Sequence, residues 1–76
     1  MNGNRLKDRR ISDGLTITEL ARFSNISTKV ISQTERFLKD PTEVTERKIV
    51  NGLNAAKKSG EKTYDFEYIF PTQKKV

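Results

Sequence analysis

The chain has 76 residues, 33% hydrophobic and 33% charged, with a mean hydropathy of −0.75, and a chain this short buries only about 60% of its unfolded surface, so one small core is expected. The lack of cysteine and histidine rules out disulfides, zinc fingers, thiol nucleophiles and imidazole catalysis, so no catalytic, metal-binding or cofactor-binding residues are assigned and no enzyme is expected. No apolar run reaches the roughly 20 residues that span a bilayer and no signal peptide opens the chain, which predicts a soluble, cytoplasmic protein with no membrane partner. Fifteen Lys and Arg against ten Asp and Glu give +5 and a pI near 9.8, a bias toward polyanions, but residues 11–40 and 61–76 each sum to zero and the excess sits in 1–10 and 41–60.

Gly14, Asn25, Asp40 with Pro41, and Ser59 with Gly60 punctuate the sequence. A first helix over Asn4–Ser12 sets Leu6, Arg10 and Ile11 at helical spacing and stops at Asp13 and Gly14. A second starts at Ile17 behind Thr16, with Glu19 completing a capping box, and turns Leu20 and Ala21 inward. Asn25 tolerates positive φ and makes the sharp turn, and Ile26 anchors the corner. Ser27 caps a third helix with Val30, Ile31 and Thr34 on one face and Thr28, Lys29, Ser32, Gln33 and Arg36 on the other. A fourth opens behind Pro41 and Thr42 and runs to about Lys58, with Val44, Ile49, Val50, Leu53 and Ala56 as its buried stripe; Gly52 weakens it by roughly 1 kcal/mol relative to Ala. After Gly60, Tyr64, Phe66, Tyr68 and Phe70 alternate with Asp65, Glu67 and Ile69, a period of two that predicts an extended strand closed by Pro71, then a tail. The expected fold class is all-α: a small bundle of four to five helices around a helix-turn-helix over residues 1–60, plus a short extended aromatic C-terminal segment and tail over 61–76.

Two short helices joined by a tight turn, the second with a capped polar face, form the unit that lays a helix in the major groove. A groove about 12 Å wide admits one helix, which needs polar side chains outward and an apolar anchor behind. Thr28, Lys29, Ser32 and Gln33 can reach base edges, Gln33 with the amide geometry that pairs bidentately with adenine, and Lys29 and Arg36 can reach guanine or phosphate. Ser27 and Lys39 complete the candidate DNA-binding set.

The stretch LTITELARFSNISTKVISQTERFLKDPT resembles the helix-turn-helix of the phage repressor and Cro family, and Arg5 to Leu53 can be laid on that pattern without a gap. The matching positions are Leu15, Thr16, Leu20, Ala21, Ile26, Ile31, Ser32, Glu35, Arg36 and Pro41. The resemblance implies a bundle of about five helices that binds a double-stranded DNA operator as a homodimer on a palindromic site. It also implies base-facing roles for Thr28, Lys29, Ser32 and Gln33, a backbone contact at Arg36, and an internal ion pair between Arg10 and Glu35. The chain departs from the family at Asn25 for the turn glycine, Ile17 for a frequent glutamine, and Phe37 for the glycine after Glu35 and Arg36, with Leu38 following.

Phe37 and Leu38 are expected as core or lid, with a partner or dimer interface as the other reading. Tyr64, Phe66, Tyr68 and Phe70 either cover the bundle's open side or present an aromatic edge to a second subunit or another protein. Two functions follow. One is a sequence-specific DNA-binding transcriptional regulator of Cro or repressor type from a phage or mobile-element switch. The other is an antirepressor or modulator that binds another helix-turn-helix repressor and blocks its DNA face, a reading motivated by the neutral middle segment, by the departures at Ile17 and Phe37, and by Glu61, Asp65 and Glu67 among the aromatics, which suit a basic partner.

Overall fold

A computed structural model describes residues 4–38 and 40–71. It folds them into α1 (Leu6–Ser12), α2 (Ile17–Ser24), α3 (Thr28–Glu35), α4 (Glu43–Ala55) and α5 (Phe66–Ile69), with no strand among the described residues. The first four helices start where a side-chain oxygen accepts one of the orphan amides of the opening turn. Asn4 Oδ1 accepts from the Leu6 amide at 3.0 Å, and its Nδ2 donates to the Thr34 carbonyl at 3.2 Å, so one residue just ahead of the N-cap Arg5 both satisfies the first amide of α1 and ties the helix to α3. Thr16 and Glu19 form the full capping box, 3.0 Å one way and 2.9 Å the other. Ser27 and Thr42 accept from the Val30 and Thr45 amides, each at 3.2 Å.

The ends of α1, α2 and α3 are built alike. Each is followed by a residue in the left-handed region: Gly14 at φ 75, Asn25 at φ 58 and Phe37 at φ 60. That residue's amide bonds three residues back, and the next amide reaches back five: Leu15 to Arg10 (3.0 Å), Ile26 to Ala21 (3.0 Å) and Leu38 to Gln33 (2.9 Å). This is the Schellman arrangement, which normally brings an apolar contact with it. Leu15 and Ile26 supply that contact by packing on the core, whereas Leu38 is 61% exposed.

Leu6, Leu20, Ile31, Ile49, Leu53 and Ile69 are fully buried, so every helix contributes to one core. Each is worth about 1.5–3 kcal/mol against exposure. α2 packs chiefly on α4, and the approach is closest at Gly52, where an added Cβ would overlap Ser24 Oγ and stand 2.9 Å from Ser24 Cα. Gly52, read from the sequence as a weak point of its helix, is what lets the two helices meet.

Several expectations are corrected. α4 stops at Ala55, short of Lys58, and near its end the Asn54 side chain clamps Tyr64, donating to its carbonyl at 3.0 Å and accepting from its amide at 2.8 Å. Val44 is exposed on the first turn of α4, and Ile11 is exposed on α1. The extended aromatic segment is instead a turn of helix. Phe66–Ile69 makes that turn, which brings Phe66 and Phe70, four apart, to a ring separation of 6.0 Å, while Tyr64, ahead of the helix and before an extended Asp65, stacks on Tyr68 at 5.9 Å. A lone strand would also leave its backbone groups unpaired, whereas here the Phe70 amide bonds the Phe66 carbonyl at 2.9 Å.

This C-terminal turn is latched onto α1 and α4. The Arg5 amide donates to the Ile69 carbonyl (2.9 Å), and its guanidinium donates to the Tyr68 carbonyl (2.7 Å) while lying 4.7 Å over the Tyr68 ring. Tyr64 donates to the Asp13 carboxylate, with the Lys57 ammonium 4.1 Å above its ring and 3.4 Å from Asp13. Burial pulls the Lys57 pKa down, but Tyr64 and Asp13 outweigh it and hold the group above its ordinary value. Phe70 is buried and Phe66 half-buried beneath Arg47, so both are spent on the protein's own packing rather than on an interface. No helix among the described residues is long and apolar enough to cross a membrane.

Candidate nucleic-acid interface

α3 is seated by Ile31, Thr34 and Glu35, all buried. Glu35 takes a two-point grip from Arg10: Nε donates to Oε2 and Nη2 to Oε1 at 3.1 Å, while Nη1 donates to the Leu15 carbonyl at 2.8 Å. The pair is almost wholly desolvated, with the side chains 11% and 3% exposed. Such a pair adds little over apolar packing of the same shape, but removing one member strands the other and costs about 3–5 kcal/mol. It fixes the base of α3 against the end of α1 and the turn into α2.

On the outer side Thr28, Lys29 and Arg36 are exposed, and Ser32 and Gln33 are half-buried. Ser27 is exposed, but its hydroxyl is already used on the Val30 amide. Lys39 lies outside the described residues. The neutral charge sum of residues 11–40 conceals a separation in space. Glu35 is consumed by Arg10, Glu19 by its own helix N-terminus, and Asp13 by Tyr64 and Lys57. Arg22, Lys29 and Arg36 are exposed with no ion-pair partner among the described residues. The outer face of α3 is therefore cationic although its segment is not.

Two family departures acquire a structural meaning. Ile17 is half-buried against the core, and the amides behind it are closed by the Thr16–Glu19 box. Phe37 and Leu38 are neither core nor lid: they are 50% and 61% exposed, because Thr34 takes the inward position and the left-handed turn at Phe37 carries the chain outward. Beyond them, at the start of α4, Asp40, Glu43 and Glu46 gather. Burial, then the charges of Glu43 and Asp40, push the Glu46 carboxyl above its ordinary 4.5. Arg47 answers Glu43 at 2.8 Å.

Elsewhere, an open cleft of about 320 Å³ lined by Lys62, Thr63, Tyr64, Asp65 and Tyr68 includes none of the α3 candidates. No cluster of three or more potential ligands for a metal occurs among the described residues. The sequence reading missed the Asn4 side chain on the Leu6 amide and Phe37 as a helix-end residue. The first carries the turn-forming signal of asparagine, while the second has no signal, since only glycine or asparagine advertises a left-handed helix end. No protein-family model, curated protein or solved structure matches this chain.

Proposed function

We propose that the protein is a sequence-specific DNA-binding regulator of the repressor and Cro type, acting by occupying an operator. The observation that carries this reading is the outer face of α3. A short helix follows a capped left-handed turn, is pinned from behind by Ile31 and by Glu35 on Arg10, and offers Thr28, Lys29, Gln33 and Arg36 outward with the neighbouring carboxylates turned elsewhere. Eight residues span about 12 Å, enough to lie in one major groove and read three or four base pairs. The resemblance of residues 15–42 to that family supports the same assignment. A homodimer would place two such helices on half-sites about 34 Å apart.

The test is fluorescence-anisotropy titration of the intergenic DNA flanking its own gene at several salt concentrations. Gln33→Ala should lose about 1–3 kcal/mol at one base position, and Arg36→Ala, at the backbone-contacting position, should weaken all sequences alike and flatten the log-log salt slope by about 1. Unchanged affinity, base preference and slope in both variants would refute the assignment. The antirepressor reading stands beside it: Phe66 and Phe70 are turned into the bundle, but Phe37, Glu61, Asp65 and Glu67 are exposed.

A further inference from the structure

Phe37 stands in the left-handed region at φ 60, where the Cβ of any residue but glycine crowds the following carbonyl. The two other helix ends of this kind use Gly14 and Asn25, which bear that backbone readily, and each gains a core contact from the next residue, Leu15 or Ile26. At the third end neither holds: Phe37 is 50% exposed and Leu38, which follows it, is 61% exposed. The turn is nonetheless firmly held. The Phe37 amide donates to the Thr34 carbonyl at 3.2 Å, the Leu38 amide donates to the Gln33 carbonyl at 2.9 Å, and Asn4 Nδ2 donates to the same Thr34 carbonyl at 3.2 Å. Strain fixed in place, with an aromatic ring left half in water, gathers where a protein meets something outside itself.

The neighbours of Phe37 say what that is. It follows Arg36, which is exposed with no ion-pair partner among the described residues, and the turn it makes is bonded back to Gln33. Both belong to the candidate DNA-binding set. The nearest carboxylates in the chain are already engaged, Glu35 by Arg10 and Asp40 elsewhere in the molecule. From Arg36 to Lys48 the sequence carries four cations, Arg36, Lys39, Arg47 and Lys48, against three carboxylates, Asp40, Glu43 and Glu46, so the stretch does not turn phosphate away. A duplex offers apolar surface beside its phosphates as well: the carbons of each deoxyribose lie between successive charges, within reach of a ring next to a phosphate-bound guanidinium.

We propose that Phe37 is a contact to the DNA backbone, its ring packed on the deoxyribose beside the phosphate taken by Arg36. The left-handed turn is what carries the ring outward at the end of α3. This rests on the DNA reading above and adds to it a positioning residue that reads no base but fixes the seat of α3 on the duplex.

Phe37→Gly keeps the turn and removes the ring, and Phe37→Tyr keeps the ring. Each is titrated by fluorescence anisotropy, at several salt concentrations, with the intergenic fragment and with a duplex of scrambled sequence, the fold being checked by circular dichroism. The result expected is binding about five- to tenfold weaker for Phe37→Gly, the loss that leaving half a phenylalanine in water predicts, and close to the parent's for Phe37→Tyr. The loss should be equal for the two duplexes and leave the salt slope unchanged, since an uncharged ring displaces no counterion, whereas Arg36→Ala flattens that slope. In the unaltered protein, NOEs should join the Phe37 ring protons to deoxyribose protons of the bound duplex, a readout that needs no substitution. Parental affinity in Phe37→Gly, or no such NOEs in a complex that shifts the Gln33 signals, would overturn the proposal and leave the DNA reading standing. Undiminished binding in Gln33→Ala, Arg36→Ala and Phe37→Gly together would remove both. A dimer in light scattering that Phe37→Gly dissolves while DNA binding is untouched would overturn it as well.

Discussion

Replacing Gly52 by alanine sets two opposing effects against each other. Inside an exposed helix the change would be worth about 1 kcal/mol in favour of the folded state. Here the new methyl would overlap Ser24 Oγ, which can rotate away, and lie 2.9 Å from Ser24 Cα, which cannot. Ordinary contact begins near 3.4 Å, so α2 and α4 would have to part by about 0.5 Å along the seam that buries Leu20, Ala21, Ile49, Val50 and Leu53. A gap of that order forfeits a quarter or more of the dispersion energy of each affected contact, and overpacking of this kind costs about 1–3 kcal/mol. Overpacking offsets or outweighs the gain in helix propensity, leaving Gly52→Ala destabilised by up to about 2 kcal/mol and melting up to roughly 16 °C lower, since 1 kcal/mol moves the Tm of a domain this small by about 4–8 °C. Urea denaturation followed by circular dichroism should show a lower midpoint at unchanged slope. Ser24→Gly in the same background should recover part of the loss. A rise in Tm for Gly52→Ala would mean that the two helices do not approach this closely in solution, and the reasoning would fail.

Glu35→Ala leaves Arg10 buried without its carboxylate and should cost about 3–5 kcal/mol, a large share of a small domain's stability, whereas Arg10→Met with Glu35→Leu should lose far less; urea midpoints compare the two. Ser24→Ala should stabilise the fold by about 1 kcal/mol and so raise the urea midpoint, because Ser24 Oγ is buried with no hydrogen-bond partner among the described residues. The raised pKa of Glu46 means that the native state binds its proton more tightly than the unfolded chain, so this group adds stability as the pH falls through its native value and detracts above it. Glu46→Gln should therefore melt higher than the parent at pH 7, with the gap closing at about pH 3, where both states are protonated.

The parts of the fold written in local chemistry were legible from the residues. Thr16 with Glu19, Asn25, Ser27 and Thr42 mark helix boundaries because a cap is satisfied within four residues, and the chain carries that signal wherever tertiary contacts place it. What depended on distant partners was not legible. Tyr64 to Phe70 has the period of a strand, yet its neighbours, Arg5, Asp13, Asn54 and Lys57, are scattered over the rest of the sequence and hold it in place with Phe66–Ile69 as a turn of helix. Val44 fits the helical stripe of Ile49 and Leu53 by spacing, but it stands on the first turn, before α4 reaches the core. For the candidate site, the polar face of α3 could be read from residue types and the cap before it. Its positive field could not, because that depends on where Glu35, Glu19 and Asp13 spend their charges.

The bond from the Arg5 amide to the Ile69 carbonyl joins points 64 residues apart and has a consequence for biosynthesis. Leu6 and Ile69 are both completely enclosed, so a nascent chain whose last turn has not yet emerged holds an interior open to water on one side. A protease clipping before residue 64 would release a fragment lacking its seal. Final closure is therefore a late, long-loop event, and loop closure of this kind slows folding rather than weakening the finished protein.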